Sequence, residues 1–231
     1  MKLIEIMGEN ENEIISEYLI DFKINETSLQ LNIENIKTTE FIEKRIEDIF
    51  SEIVYDFQED KILNTNNIFE KWDKTYTEFL LGNDSDLNEL AVDLNKYYAN
   101  QENIEFILRN ANFFPYLIML LTPKEEYKDL KFYNLLKFEE LEFDITKKVE
   151  SYRETRNIMI EGVIPSTFNF IALKKQIRDL LKVTPGKLFE MNITFMGELN
   201  YIDNILRKGN LEIKLTTNGF IERYYKLEIG E

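Results

Sequence analysis

The period of the hydrophobic pattern changes twice along this chain, and that change constrains the fold more than any single motif does. Near the amino end apolar residues recur at every second position. Residues 2–7 alternate weakly, Tyr18, Ile20, Phe22 and Ile24 alternate with Glu17, Asp21 and Lys23, and Leu29, Leu31 and Ile33 alternate with Gln30, Asn32 and Glu34. Period two marks strands that turn one face to a core. Asn25-Glu26-Thr27 reads as the turn between the second and third strands.

In the middle the spacing lengthens to three and four residues, as an amphipathic helix requires. Ile68, Phe69, Trp72, Tyr76, Phe79 and Leu80 make one stripe, and Leu87, Leu90, Ala91, Leu94, Tyr97 and Tyr98 make another. Gly82-Asn83-Asp84-Ser85 separates them, and Asp86 with Glu89 is spaced as a capping box. Ile104, Ile107, Leu108 and Ala111 mark a short third helix, while the run Phe113–Leu121 fits a buried strand or a buried helix. Thr122-Pro123-Lys124-Glu125 has the features of a helix start, and Tyr127, Leu130, Tyr133 and Leu136 continue it at helical spacing.

The last third returns to period two. Leu141, Phe143 and Ile145 alternate with acidic residues, and Ile158–Ile164 is a strand interrupted at Gly162 and stopped by Pro165. Ser166 or Thr167 caps a helix whose stripe is Phe170, Leu173, Ile177, Leu180 and Leu181. Phe189, Met191, Ile193 and Phe195 follow as a strand, and Leu199, Ile202, Ile205 and Leu206 as a short helix stopped by Gly209. Leu211, Ile213 and Leu215 lead into Asn218-Gly219, a type I′ hairpin signal, with a return strand to about Ile229. The expected class is α+β, with strands near both termini around a helical middle section. The terminal strands are candidates for one shared antiparallel or mixed sheet. A single domain over 1–231 is expected, and any subdivision would fall into 1–60, 61–137 and 138–231.

The most regular helical pattern runs from Thr39 to Asp60. Ile42, Ile46, Ile49, Ile53 and Phe57 fall on one face, with Thr38 or Thr39 as cap. Glu43, Glu47, Asp48, Glu52 and Asp56 fall on the others, followed by Glu59 and Asp60. Asp48, Glu52 and Asp56 at i,i+4 would stack like charges at a cost of roughly 0.2–0.5 kcal/mol per pair. These seven carboxylates are the candidate partner-binding residues. A second candidate contact is the cationic ladder Lys174, Lys175, Arg178 and Lys182, the natural complement of the first, within one chain or between copies.

The formal net charge is −15, and it is unevenly spread: −14 over residues 1–100, −3 over 101–150 and +2 over 151–231. Such a chain repels phosphate backbones and anionic bilayers, so neither direct nucleic-acid binding nor a membrane surface is expected. A basic protein partner is favoured electrostatically, and a homo-oligomer is allowed. The chain has no Cys and no His, which removes disulfides, Cys/His zinc sites and every triad built on imidazole or thiolate. The start Met1-Lys2-Leu3-Ile4-Glu5 lacks the apolar region of a signal peptide, and Phe113–Leu121 is far short of the roughly 20 residues that span a bilayer. The expected location is cytoplasmic.

Catalytic patterns are sparse. Asp84-Ser85-Asp86 resembles the opening of a calcium loop, but Glu89 and Asn95 stand where that loop needs Gly and Glu. Glu212-Ile213-Lys214, with Asp203 upstream, has the spacing of a metal-dependent nuclease, as does Asp21-Phe22-Lys23, and a cross-strand charge pair explains that spacing equally well. Phosphate-cradling Gly-rich motifs are absent from the sequence. Tyr97-Tyr98 and Tyr224-Tyr225 each place one ring on an outer face, where tyrosines anchor interfaces. No cofactor, metal or catalytic residue is expected. The expected function is non-enzymatic: an acidic protein-binding module of bacterial or phage type, acting as an inhibitor or immunity protein on a basic, nucleic-acid-handling partner. The alternative is a structural or assembly subunit of a phage tail or secretion-type apparatus, and the lesser alternative a metal-dependent hydrolase or nuclease.

Overall fold

The computed structural model describes residues 1–36, 45–46, 48–82, 84–110, 113–138, 140–184, 187–218 and 221–230. The class is α+β and rich in strand. The strands are β1 (Lys2–Glu9), β2 (Asn12–Ile24), β3 (Ser28–Asn35), β4 (Glu52–Asp56), β5 (Lys61–Ile62), β6 (Glu126–Tyr133), β7 (Glu140–Tyr152), β8 (Thr155–Val163), β9 (Met191–Ile202), β10 (Ile205–Thr217) and β11 (Glu222–Gly230). The helices are α1 (Thr65–Leu81), α2 (Ser85–Tyr98), α3 (Gln101–Asn110), α4 (Phe114–Leu121) and α5 (Phe170–Leu180), with a short 3₁₀ turn at Leu135–Lys137. Two compact units form, Met1–Lys2 with Glu17–Thr122, and Leu3–Ser16 with Pro123–Glu231.

In the first unit, residues 17–24 of β2, then β3, β4 and β5 make an antiparallel sheet in that order. Ile20 faces Ile33, Leu31 faces Ile53, Leu29 faces Tyr55 and Tyr55 faces Ile62, so one face of the sheet carries the apolar residues. Helix α1 buries Ile68, Trp72, Thr75 and Phe79 at helical spacing. The buried Trp72 donates its indole N–H to Asn95 Oδ1 at 3.0 Å, and its ring meets Tyr98 edge-on with centroids 5.2 Å apart. The run Phe113–Leu121 resolves as α4. It is buried along its length apart from half-buried Pro115, because an all-apolar helix needs a covered site.

Residues 52–56 correct the expected helix over 39–60. They form β4, paired with both β3 and β5. Ile53 and Phe57 fit the helical stripe, but with Tyr55 between them they also alternate at two, and Ile53-Val54-Tyr55 is a β-branched and aromatic run that favours a strand. Arg45–Ile46 and Asp48–Ile49 are helical, and Ser51 Oγ donates to the Asp48 carbonyl at 2.8 Å where that stretch stops. Residues 37–44, with Thr38, Thr39 and Ile42, lie outside the described residues.

In the second unit, residues 12–16 of β2 are followed across the sheet by β1, β11, β10, β9, β8, β7 and β6. The strand from the amino end thus lies beside the strand from the carboxyl end. Phe132, Phe143 and Phe195 meet on one face, with centroids 5.1–6.0 Å apart, and α5 adds buried Leu173 and Ile177. A Cβ on Gly162 would lie 2.7 Å from Phe195 Cγ, so this glycine is where the ring crosses β8, and the strand runs on unbroken to Val163.

Two further expected helices are strands here, each for a readable reason. Residues 126–133 form β6 on β7. A bulge between Tyr127 and Leu130, with Asp129 at φ 48°, stretches the two-residue period to three at that point and imitates a helix in the sequence. Leu199, Ile202, Ile205 and Leu206 belong to the β9–β10 hairpin, closed by Asp203-Asn204 at φ 52° and 61°. That pair is the two-residue turn of a hairpin, and a second irregularity at Leu206/Lys208 again disturbs the alternation. Caps differ as well: Asp84 accepts from Asp86 N and Leu87 N at the start of α2, and Asn169 from Ala172 N at the start of α5. Strands β10 and β11 pair as expected, and Gly219 and Phe220 of their loop lie outside the described residues.

Candidate functional site

The five described candidate carboxylates, Asp48, Glu52, Asp56, Glu59 and Asp60, do not line one helical face. Asp48 is exposed on the short helical stretch, and Glu52 opens β4, where Gln30 Nε2 donates to its Oε1 at 3.4 Å. Asp56 ends β4, and its Oδ1 accepts the backbone N–H groups of Gln58 and Glu59 at 2.7 and 2.8 Å. Glu59 pairs with Lys61. Asp60 accepts the Tyr55 hydroxyl and pairs with Arg109 at 2.5 Å. Glu43 and Glu47 lie outside the described residues. The ladder Asp48–Glu52–Asp56 does not form, since those positions span helix and strand, and the last residues of the set bind the chain's own donors and cations.

The exposed acidic helix of the first unit is α2. Asp86, Glu89, Leu90, Asp93 and Tyr97 stand at i, i+3, i+4, i+7 and i+11, and all are exposed. Tyr97 is 60% exposed, and Val92, on another side of the helix, 47%. Ala91 is the one buried side chain the helix turns inward, so α2 gives little of its surface to the core. Lys96 pairs with Asp93, leaving the acidic balance toward the amino end of the helix, where the macrodipole favours it. Spacing puts Leu90 on the core stripe, whereas the structure places it outside. Val92, apolar on the polar side of the pattern, was the available signal.

The cationic ladder is kept on α5 for Lys174, Lys175 and Arg178, and Lys182 falls outside the helix. Lys174, Lys175 and Arg178 follow Ile171 along one outer face, with Lys182 just past the helix at φ 51°. Arg178 Nη2 also donates to the Thr184 carbonyl at 3.3 Å. Beside the amino end of α5 a groove of about 690 Å³ opens between residues 161–171 and β9. It exists because β8 leaves β9: their last paired residues are Gly162 and Phe195, while β9 stays paired with β10 to Met191. Its rim exposes Val163, Met196 and Ile171, the last at 82%. The first unit holds a smaller apolar cavity of about 220 Å³ lined by Tyr18, Ile33, Phe50, Ile53, Tyr98 and Phe113, below the roughly 300 Å³ at which small-molecule sites usually begin.

The nuclease-like spacing resolves as ion pairing across the β10–β11 ladder. Glu212 meets Lys226 at 3.4 Å and Lys214 meets Glu222 at 2.8 Å, while Asp203 sits in the hairpin turn. Among the described residues no group of three or more Asp or Glu side chains is placed to hold a metal. Tyr224 and Tyr225 are both buried, which corrects the expectation of an exposed ring there; the Tyr224 ring lies under Gly8 and its hydroxyl reaches Glu13.

Buried ionisable groups cluster in the second unit. The Tyr225 hydroxyl donates to Glu5, and burial raises the Glu5 pKa against that hydrogen bond. Arg223 donates to Glu9 Oε2 at 3.0 Å and to the Leu136 carbonyl at 3.2 Å, holding a turn in which Asn134, Leu136 and Lys137 all have positive φ. Lys137 adds a 2.5 Å pair to Glu9, the largest influence lowering that carboxyl's pKa. Lys147, on the core face of β7 beside the Tyr127 ring, is pushed down to about 7 by burial. Among the described residues no single helix is long and apolar enough to cross a membrane. Compared with models of protein families, with curated protein sequences and with solved structures, the chain matches none of them.

Proposed function

We propose that this chain is a non-enzymatic protein-binding module whose first unit docks on a basic partner, as an inhibitor or immunity protein does on a surface evolved for nucleic acid. The supporting observation is the outer face of α2, where Asp86 and Glu89 stand beside exposed Leu90 and Tyr97. Carboxylates steer a cationic partner into encounter, and exposed apolar and aromatic side chains supply the contact area that holds it. A purely solvated face has no use for the second part. The ionic share of such a contact weakens with salt, since the Debye length falls to about 8 Å at physiological ionic strength.

A synthetic amphipathic helix of Lys and Leu serves as probe for the full chain. Reversing charge at Asp86, Glu89 and Asp93 together is expected to weaken its binding at least about tenfold and to flatten the salt dependence. Asp48→Lys with Glu52→Lys is expected to change affinity less than about threefold. Equal affinity and equal salt slope for the α2 variant would reject α2 as the docking face. The alternative reading, an assembly subunit, is favoured by one observation: the second unit carries an exposed surface of opposite sign on α5.

A further inference from the structure

We propose that the groove beside α5, together with the cationic face of that helix, receives the α2 face of a second copy of this chain. The inference rests on reading α2 as a docking face, and it names a partner for it.

The two surfaces match in pattern as well as in sign. On α5 an exposed apolar residue comes first, Ile171, and Lys174, Lys175 and Arg178 follow toward the carboxyl end, with Asp179 beside them. On α2 the carboxylates come first, Asp86 and Glu89 with Leu90 between the turns, then Asp93 with its partner Lys96, and Tyr97 ends the stripe. Laid antiparallel, Tyr97 falls at Ile171 and the mouth of the groove, Asp93 falls near Lys174 and Lys175, Glu89 falls near Arg178, and Asp86 falls about one turn beyond it, toward Lys182. That orientation also sets the positive end of one helix dipole against the negative end of the other. The groove floor is supplied by Ile193 and Phe195, with Val163 and Met196 at the rim. An aromatic anchor seated at an apolar groove, with charge pairs flanking it, is a recurrent mode of recognition.

Each copy carries a formal charge of −15, so whole molecules repel. That repulsion is screened over about 8 Å at physiological salt, whereas the groove contact acts at shorter range. The two faces differ, so the contact is heterologous: it runs on from copy to copy, or closes into a ring.

Sedimentation of the full chain from micromolar to millimolar concentration tests this directly. Mass is expected to rise with concentration. Ile171→Glu, the pair Lys174→Glu with Arg178→Glu, and the triple α2 reversal Asp86→Lys, Glu89→Lys, Asp93→Lys are each expected to weaken association at least about tenfold. All these side chains are exposed or half-buried, and matched circular dichroism and thermal unfolding confirm that each variant is folded. Mixing the α5-reversed pair with the α2-reversed triple recreates opposite charges across the contact, and association is expected to return in the mixture alone. A wild-type chain that stays monomeric throughout overturns this inference, while binding of the Lys/Leu probe tests the reading of α2 separately. Association that none of the variants changes, or folded variants whose mixture stays monomeric, overturns it equally.

Discussion

The Tyr225 hydroxyl donates to Glu5 Oε1 at 3.1 Å across 220 positions of sequence, inside the sheet where β1 lies beside β11. Glu5 is 4% exposed, and burial raises its pKa against the smaller opposite effect of that hydrogen bond. As pH rises above the ordinary carboxylate range, the unfolded chain releases this proton before the folded chain does. Stability therefore falls until the raised folded pKa is passed. Glu5→Gln keeps an acceptor for Tyr225 and removes the buried charge. It is expected to raise unfolding free energy in urea by about 1 kcal/mol or more at pH 7, and to change it little near pH 4. A loss of stability at pH 7 would mean that the ionised carboxylate is held by the fold.

Lys147 gives a slope of the opposite sign. Its folded pKa, about 7, lies below its ordinary value of 10.5. Between those values the unfolded chain binds the extra proton, so this residue makes stability rise with pH over that window, by about 2 kcal/mol from pH 7 to 9. The penalty is complete below pH 7. In Lys147→Met that component of the slope is expected to vanish, and the variant to be more stable at pH 7. Parallel pH profiles for the two chains would contradict a buried, desolvated ammonium group.

Gly162→Ala is expected to destabilise by about 1–3 kcal/mol, because the new methyl would lie 2.7 Å from Phe195 Cγ and within 3.0 Å of two further atoms of that residue. Thermal unfolding measures this. A neutral outcome would mean that the Phe132–Phe143–Phe195 cluster repacks without cost.

Asp84→Ala removes the side chain that accepts Asp86 N and Leu87 N at the start of α2. A loss of about 1 kcal/mol is expected, with faster hydrogen exchange in the first turn of α2 and weaker probe binding. Unaltered exchange there would show that the helix start does not depend on its cap.

The sequence carried the class and the strand pairs near both ends, because Leu29, Leu31 and Ile33 or Leu211, Ile213 and Leu215 alternate without interruption. It misled where one irregular residue shifted the period. The bulge before Leu130 made β6 look helical, and the turn Asp203-Asn204 was hidden inside an apparent helical stripe. At 52–57 two periods coincide, and pairing with β3 and β5 decides between them, which no local pattern contains. The cationic face of α5 was legible because a regular helix fixes it. The α2 face was not, since Leu90 fits a core stripe by spacing and only the packing of α1 and α3 shows how little of α2 is covered. The groove was invisible for a similar reason: it arises where β8 and β9 part, a property of two strands and not of either.

Backbone hydrogen exchange of the full chain, with and without the saturating Lys/Leu helical probe, tests the role of α2 most directly. Slowed exchange concentrated at residues 85–98, with residues 52–60 unchanged, is the result expected. Protection centred on 52–60, or bound probe that leaves α2 exchanging as in the free chain, would contradict it.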